Sequence, residues 1–243
     1  MSAILNISAY RFVCLPDAAD WRDVIEHEAG VAELKGTVLL AEEGINLFLA
    51  GAPQRLRAWL DWLRQDSRFS DLAVKESWSE LVPFRKLRVK IKREIIRMDH
   101  PSIRPERGRS PAVDAKTLAR WLDAGHDDGG RPVLLLDTRN RFEVGHGKFR
   151  NAVDLQTSKF SELPAAALAR RDMFDGKTVV SYCTGGIRCE KAAIFLAGAG
   201  VDRVFQLDGG ILQYFEQVGA RHFDGQCFVF DERIALTADL TPA

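Results

Sequence analysis

Hydrophobic and polar residues alternate in two different rhythms along the chain, with a change near residue 98. Before it, short apolar runs are separated by amphipathic ones. Tyr10-Arg11-Phe12-Val13-Cys14 has the period of a strand, and Thr37 to Leu40 and Ile45 to Leu49 read as two more strands around the turn Glu43-Gly44. Asp20 to Val31 reads as a helix. Between Pro53 and Arg64, Leu56, Trp59, Leu60 and Leu63 fall at i, i+3, i+4 and i+7, the stripe of a helix with proline in its first turn. A run from Lys86 to Ile96 is predicted to close the set as a strand. The order βαββαβ predicts a ferredoxin-like α+β domain over residues 1–98, an antiparallel sheet with helices on one face.

Residues 99–112 hold Pro101, Pro105 and Pro111 and little to bury, which predicts a linker. Over residues 113–220 apolar strands without alternation are separated by helices. A capped helix over Asp114 to Ala124 precedes the strand Val133 to Leu136; helical runs follow from Glu162 to Arg171. A strand then ends at Tyr182, a helix runs from about Cys189 to Ala199, and a last strand covers Arg203 to Leu207. That pattern predicts an α/β domain whose parallel sheet is covered on both faces. Residues 221–243 form a C-terminal extension.

Composition narrows the classes. The 243 residues are 46% hydrophobic and 28% charged, ordinary for a globular protein with room for two modest domains. Formal net charge is zero, so any nucleic-acid partner must be met by a local patch. One candidate patch exists: Lys86, Arg88, Lys90 and Lys92 alternate with Leu87, Val89 and Ile91, putting a basic stripe on one face of a strand, with Arg104, Arg107 and Arg109 nearby in sequence. A merely solvated strand face would read the same way. The N-terminus lacks a basic segment followed by an apolar one, and no run approaches a membrane span, so a cytoplasmic protein with no membrane partner is expected. The four cysteines, Cys14, Cys183, Cys189 and Cys227, include no C-x-x-C pair; free thiols and no metal site are expected.

Candidate chemistry centres on the stretch after Thr178-Val179-Val180, where Cys183-Thr184-Gly185-Gly186-Ile187-Arg188 leads into a helix. In open parallel sheets ligands collect at the carboxyl ends of strands, where Cys183 is predicted to lie. A glycine-rich curl with its amides turned inward, at the positive end of a helix, favours an anion, so Cys183 is expected as a thiolate open to solvent or substrate. Arg188 is expected to tie the far end of the ring by bonding its carbonyls or a bound anion. Cysteine phosphatases set the arginine six residues after the cysteine; here it is five, and Tyr182 stands where they usually carry histidine. The smaller ring resembles the persulfide cradle of rhodanese domains.

Two further stretches carry that resemblance. Asp137-Thr138-Arg139 through Glu143 to Gly145-His146, with Ala152 beyond, resembles the D-x-R-x-x-x-E, G-H and A pattern of rhodanese domains, and Leu207-Asp208-Gly209-Gly210 resembles their terminal turn. Asp137 is predicted to end a strand beside the one before Cys183, so Asp137, Arg139 and Glu143 are expected as a supporting ion-pair lattice; His146 is expected to serve in hydrogen bonding.

The remainder resembles a narrower group. Ala41 to Asn46, Ser79 to Ile96, the cysteine loop with Cys189-Glu190-Lys191-Ala192, and the tail Phe223 to Arg233 are similar to the bacterial tRNA uridine(34) hydroxylases, rhodanese-domain proteins, through nearly the whole chain. The resemblance implies oxygen-dependent hydroxylation of the wobble uridine of tRNA at C5, with Cys183 essential, molecular oxygen as co-substrate and tRNA as partner; a protein partner is not implied. Many members continue into a cysteine-rich tail; this sequence ends at Ala243 without one, and the core reaction is expected not to need it. No flavin, iron or cluster signature is recognisable. Cys183 is expected either to add to C6 of uracil or to carry a persulfide that activates oxygen. The alternatives are a sulfurtransferase, which the loop alone would permit, and a non-catalytic interaction module with the rhodanese part as scaffold and the first domain as binder.

Overall fold

A computed structural model describes residues 3–243 and divides into two compact units. The first comprises residues 3–97 with Phe230–Arg233 and Pro242. Its elements are β1 (Ile4–Phe12), α1 (Ala18–Val31), β2 (Lys35–Ala41), β3 (Gly44–Gly51), α2 (Pro53–Leu63), β4 (Val74–Ser79) and β5 (Leu87–Ile91), and its sheet runs β4-β1-β3-β2-β5. The four strands β4-β1-β3-β2 are antiparallel, and β5 joins parallel to β2 at the edge. The expected run from Lys86 to Ile96 therefore does not close the ferredoxin-like motif. β4, which the pattern did not announce, closes it, and β5 is a shorter fifth strand. Leu56, Trp59, Leu60 and Leu63 of α2 are all buried among Leu5, Ile7, Ile45, Leu47 and Leu49 on one sheet face, the stripe its spacing predicts.

The second unit takes residues 98–229, Ile234–Thr241 and Ala243. It contains β6 (Ala112–Val113), α3 (Ala115–Ala124), β7 (Val133–Asp137), α4 (Arg141–Val144), β8 (Gly147–Phe149), β9 (Val153–Asp154), α5 (Leu163–Leu168), β10 (Thr178–Tyr182), α6 (Ile187–Gly198), β11 (Val204–Leu207) and α7 (Gly210–Val218). The tail adds β12 (Phe223–Gly225), β13 (Cys227–Phe228) and β14 (Ala235–Leu236). The five-stranded sheet β6-β11-β10-β7-β9 is parallel throughout. Helix α3 starts on Asp114, whose carboxylate accepts the Thr117 amide at 2.9 Å, and packs with α7, while α5 packs with α6.

The stretch expected as a linker is not a free connector. Ile103 and Pro105 are buried, His100 packs edge-on against Phe195 of α6 at 5.2 Å between ring centroids, and the segment counts with the second unit. The C-terminal extension is likewise not one piece. β12 pairs with β8 and β13 with β14 in the second unit, whereas Phe230–Arg233 belongs to the first, where Arg233 Nη1 donates to Ser77 Oγ at 2.7 Å. Among the described residues no helix is long and apolar enough to cross a membrane.

Candidate active site

The cysteine loop begins where β10 ends. Beyond Tyr182 the chain turns through Cys183-Thr184-Gly185-Gly186 into α6, with Gly186 at φ +104° as the N-cap, a conformation a side chain resists. That turn points the Gly186 N–H at Cys183 Sγ, 3.1 Å away. The Gly209-Gly210 turn at the start of α7 supports the loop from behind: Ile211 N–H donates to the Cys183 carbonyl at 2.9 Å and Leu212 N–H to that of Thr184 at 3.1 Å. Gly210 has φ +67°, and a Cβ there would lie 2.5 Å from the Cys183 carbonyl oxygen and 2.8 Å from both Gly186 N and the Thr184 carbonyl oxygen. Two backbones meet where no side chain fits, which is the physical content of the terminal glycine pair.

The electrostatics favour an ionised Cys183. Burial pushes its thiol up, but the hydrogen bond from the Cys189 thiol, the charge of Arg188 and the amides of Cys189 and Arg188 outweigh burial and draw it down to about 5. Cys189 moves the opposite way: burial and the neighbouring Cys183 charge hold it well above the usual thiol range. The two sulfurs thus share one negative charge, placed on Cys183. Cys189 Sγ also lies 2.8 Å from the Gly186 carbonyl.

Around the loop stand two buried ion pairs rather than one lattice. Arg188 is turned onto Glu143, its Nη1 and Nη2 each 2.6 Å from one carboxylate oxygen. Its planar fork matches a carboxylate that α4 delivers, and a buried Glu143 requires such a partner. Glu143 is oriented in turn by the Asn140 N–H, which donates to Oε2 at 3.1 Å. Arg139 pairs separately with Asp137, Nη2 to Oδ2 at 2.6 Å, and donates from Nη2 to the Gly147 carbonyl at 2.7 Å. Asp137 sits opposite Tyr182 in the register of β7 and β10, and Thr138 donates to the Tyr182 carbonyl from both its amide and its hydroxyl at 2.9 Å, locking the two strand ends together beside the loop.

Comparison with known proteins places this geometry. The UPF0176 acylphosphatase-like domain matches residues 4–95, and the rhodanese-like domain matches residues 114–217. A Bordetella petrii protein named tRNA uridine(34) hydroxylase is 61% identical over 243 residues, covering 100% of this chain and 96% of that one. This chain belongs to the tRNA uridine(34) hydroxylase family. Relatives of the same name from Delftia acidovorans, 60% identical over 99% of this chain and 91% of theirs, and Ralstonia nicotianae, 58% identical over 99% and 85%, agree. As a member of the tRNA uridine(34) hydroxylases the chain is an enzyme.

The tRNA uridine(34) hydroxylase also departs from the expected site at its thiol. Cys183 is not open: 1% of its surface is exposed. The tail reaches the next residue, Thr184, whose Oγ1 donates to the Phe228 carbonyl at 3.4 Å, and the Phe228 ring packs against Phe142 and His146, each 5.2 Å between centroids. Cys227, which the sequence did not single out, is a buried member of the same neighbourhood. Burial pushes its thiol up to about 12 against the opposing effects of Arg139 and Thr184. Nothing local in the sequence marks it, because neighbours such as Arg139 and Thr184 are far from it along the chain.

The basic candidates lie on the first unit. Arg88 and Lys90 are exposed on one side of β5 with Val89 buried on the other, and Lys86 and Lys92 flank the strand, both exposed. Of the arginines expected beside that stripe, which belong to the second unit, Arg109 Nε pairs with Glu190 at 3.1 Å and Arg104 Nη1 with Glu106 at 3.6 Å.

Proposed function

We propose that the chain hydroxylates the wobble uridine of tRNA at C5, giving 5-hydroxyuridine, with Cys183 as the essential residue and molecular oxygen as co-substrate. The observation that carries this reading is full-length similarity to relatives named tRNA uridine(34) hydroxylase, and the anionic cradle around Cys183 supports it. A thiolate is the form that adds to C6 of uracil. Addition breaks the C5–C6 double bond and leaves an electron pair delocalised over C5 and O4, which forms a bond from C5 to one atom of O2; protonation gives a C5 hydroperoxide, whose O–O bond is cleaved with two electrons and two protons, leaving the C5 hydroxyl and releasing water. Loss of the C5 proton and departure of the sulfur restore the ring. A thiol drawn down to about 5 is a good leaving group, so the cradle that ionises Cys183 also releases it. Overall, uridine, molecular oxygen, two electrons and two protons give 5-hydroxyuridine and water, the electrons coming from a thiol reductant that is oxidised to a disulfide.

The burial of Cys183 adds a requirement. Uracil reaches the sulfur only after part of its surroundings moves, and the 3.4 Å bond between Thr184 and Phe228 is a weak tie beside it. Nucleosides of tRNA from a deletion strain with no second route to the modification test the reading. Wild type is expected to restore 5-hydroxyuridine and Cys183→Ser to leave it absent; restoration by the serine variant would remove Cys183 from the reaction.

A further inference from the structure

The single turn of α4 has two sides. Glu143 and Val144 are buried, Glu143 against Arg188 of the cysteine loop, whereas Arg141, Phe142 and, one turn on, His146 are exposed. Phe142 leaves 52% of its surface exposed, although the Glu143–Arg188 pair and Val144 anchor α4 without it. An isolated apolar residue on a surface needs no explanation, but this one is not isolated. Its ring meets that of Phe228 at 5.2 Å and 89°, and Phe228 meets His146 at the same distance. The Phe228 carbonyl in turn accepts from the hydroxyl of Thr184, the residue after Cys183. Three rings therefore stand together beside the cysteine loop, one of them half in solvent.

We propose that the Phe142 ring stacks on the unpaired base next to the target uridine, with Arg141 meeting a phosphate beside it. The proposal rests on the reading of tRNA as substrate and Cys183 as the reacting group, and names what the second unit holds besides the reacting base. A perpendicular ring contact uses at most one face of either ring, so the exposed half of Phe142 includes ring surface for a second partner. The chemistry of that partner follows from the neighbouring cradle. A uridine turned towards Cys183 leaves its own stack, and the base beside it loses the cover on one face. An aromatic ring at the side of the cradle restores that cover, whatever the identity of the base. A duplex offers no such face, because pairing and stacking already cover both sides of its bases. Arg141 precedes Phe142 in the chain and is exposed, which sets a cation next to the ring where the strand carries its negative charge.

The test uses the full chain and two labelled RNAs of equal length, a hairpin with uridine in its unpaired loop and a blunt duplex, with binding read by fluorescence anisotropy over a salt series. Phe142→Ala is expected to weaken the hairpin roughly 5- to 150-fold and to leave the duplex within about twofold. Phe142→Tyr retains a ring and is expected to bind the hairpin like wild type, which separates stacking from misfolding. Arg141→Gln is expected to lower the salt slope of hairpin binding by about 0.7. Contact is read directly with 5-iodouridine placed in turn on each side of the loop uridine: irradiation of the wild-type complex is expected to join one of the two positions to Phe142, located by mass spectrometry. Hairpin binding by Phe142→Ala equal to wild type, equal losses on hairpin and duplex, or cross-links that fall only on other residues would each overturn the assignment. The catalytic reading fails separately: a Cys183→Ser strain that still makes 5-hydroxyuridine refutes that reading, whatever Phe142→Ala does to binding.

Discussion

The ionised cysteine predicts a pH-dependent stability that can be measured without any substrate. The folded chain keeps Cys183 deprotonated down to about 5. In the unfolded chain a thiol binds its proton below about 8.5. Between those values the unfolded state holds one proton more, so the contribution of Cys183 to stability rises with pH, is fully present above the unfolded value and is lost as pH falls through the folded one. The slope is about 1.4 kcal/mol per pH unit. From about pH 5.5 to about 7.5 the wild type should therefore gain roughly 2–3 kcal/mol relative to Cys183→Ser, whose hydroxyl does not titrate. Cys189 and Cys227 are protonated in both states over that window, since both are held above the usual range when folded, and they cancel in the difference. Urea unfolding at several pH values, followed by a signal of the second unit, measures the difference directly. Parallel pH profiles for the two proteins would refute the assignment of the charge to Cys183.

Other consequences concern the neighbours of that sulfur. Glu143→Gln leaves the buried Arg188 without a carboxylate and is expected to cost about 3–5 kcal/mol, seen as a lower melting temperature of the second unit. Cys189→Ala removes the donor nearest in effect to the Cys183 thiolate, so thiolate absorbance should titrate at higher pH than in wild type; an unchanged midpoint would remove Cys189 from that role. Gly210→Ala forces a methyl group against the Cys183 carbonyl at 2.5 Å and is expected to displace the loop, abolishing 5-hydroxyuridine formation while the first unit melts as before.

What the sequence disclosed follows the range of the interactions involved. The α2 stripe is local information, four apolar residues at helical spacing, and it forms as the pattern requires. The cysteine loop is local as well: a strand, two glycines and a helix start are adjacent in the chain, and Gly186 needs its glycine for the φ it adopts. β4 escaped because Val-Lys-Glu-Ser-Trp-Ser has no apolar alternation; it is an edge strand held by pairing with β1. The partner of Arg188 escaped for a similar reason, since Glu143 lies 45 residues away and only the packing of α4 against the loop brings them together. The burial of Cys183 was misread on the same ground. An open thiol follows from the loop taken alone, whereas the tail that reaches Thr184 is 44 residues distant.

The most direct test of the central claim traces the oxygen atom. Cells carrying the protein and grown briefly under isotopically heavy molecular oxygen should yield 5-hydroxyuridine heavier by two mass units, with none formed when Cys183→Ser replaces the wild type. Product of ordinary mass in heavy oxygen, or labelled product from the serine variant, would contradict the account.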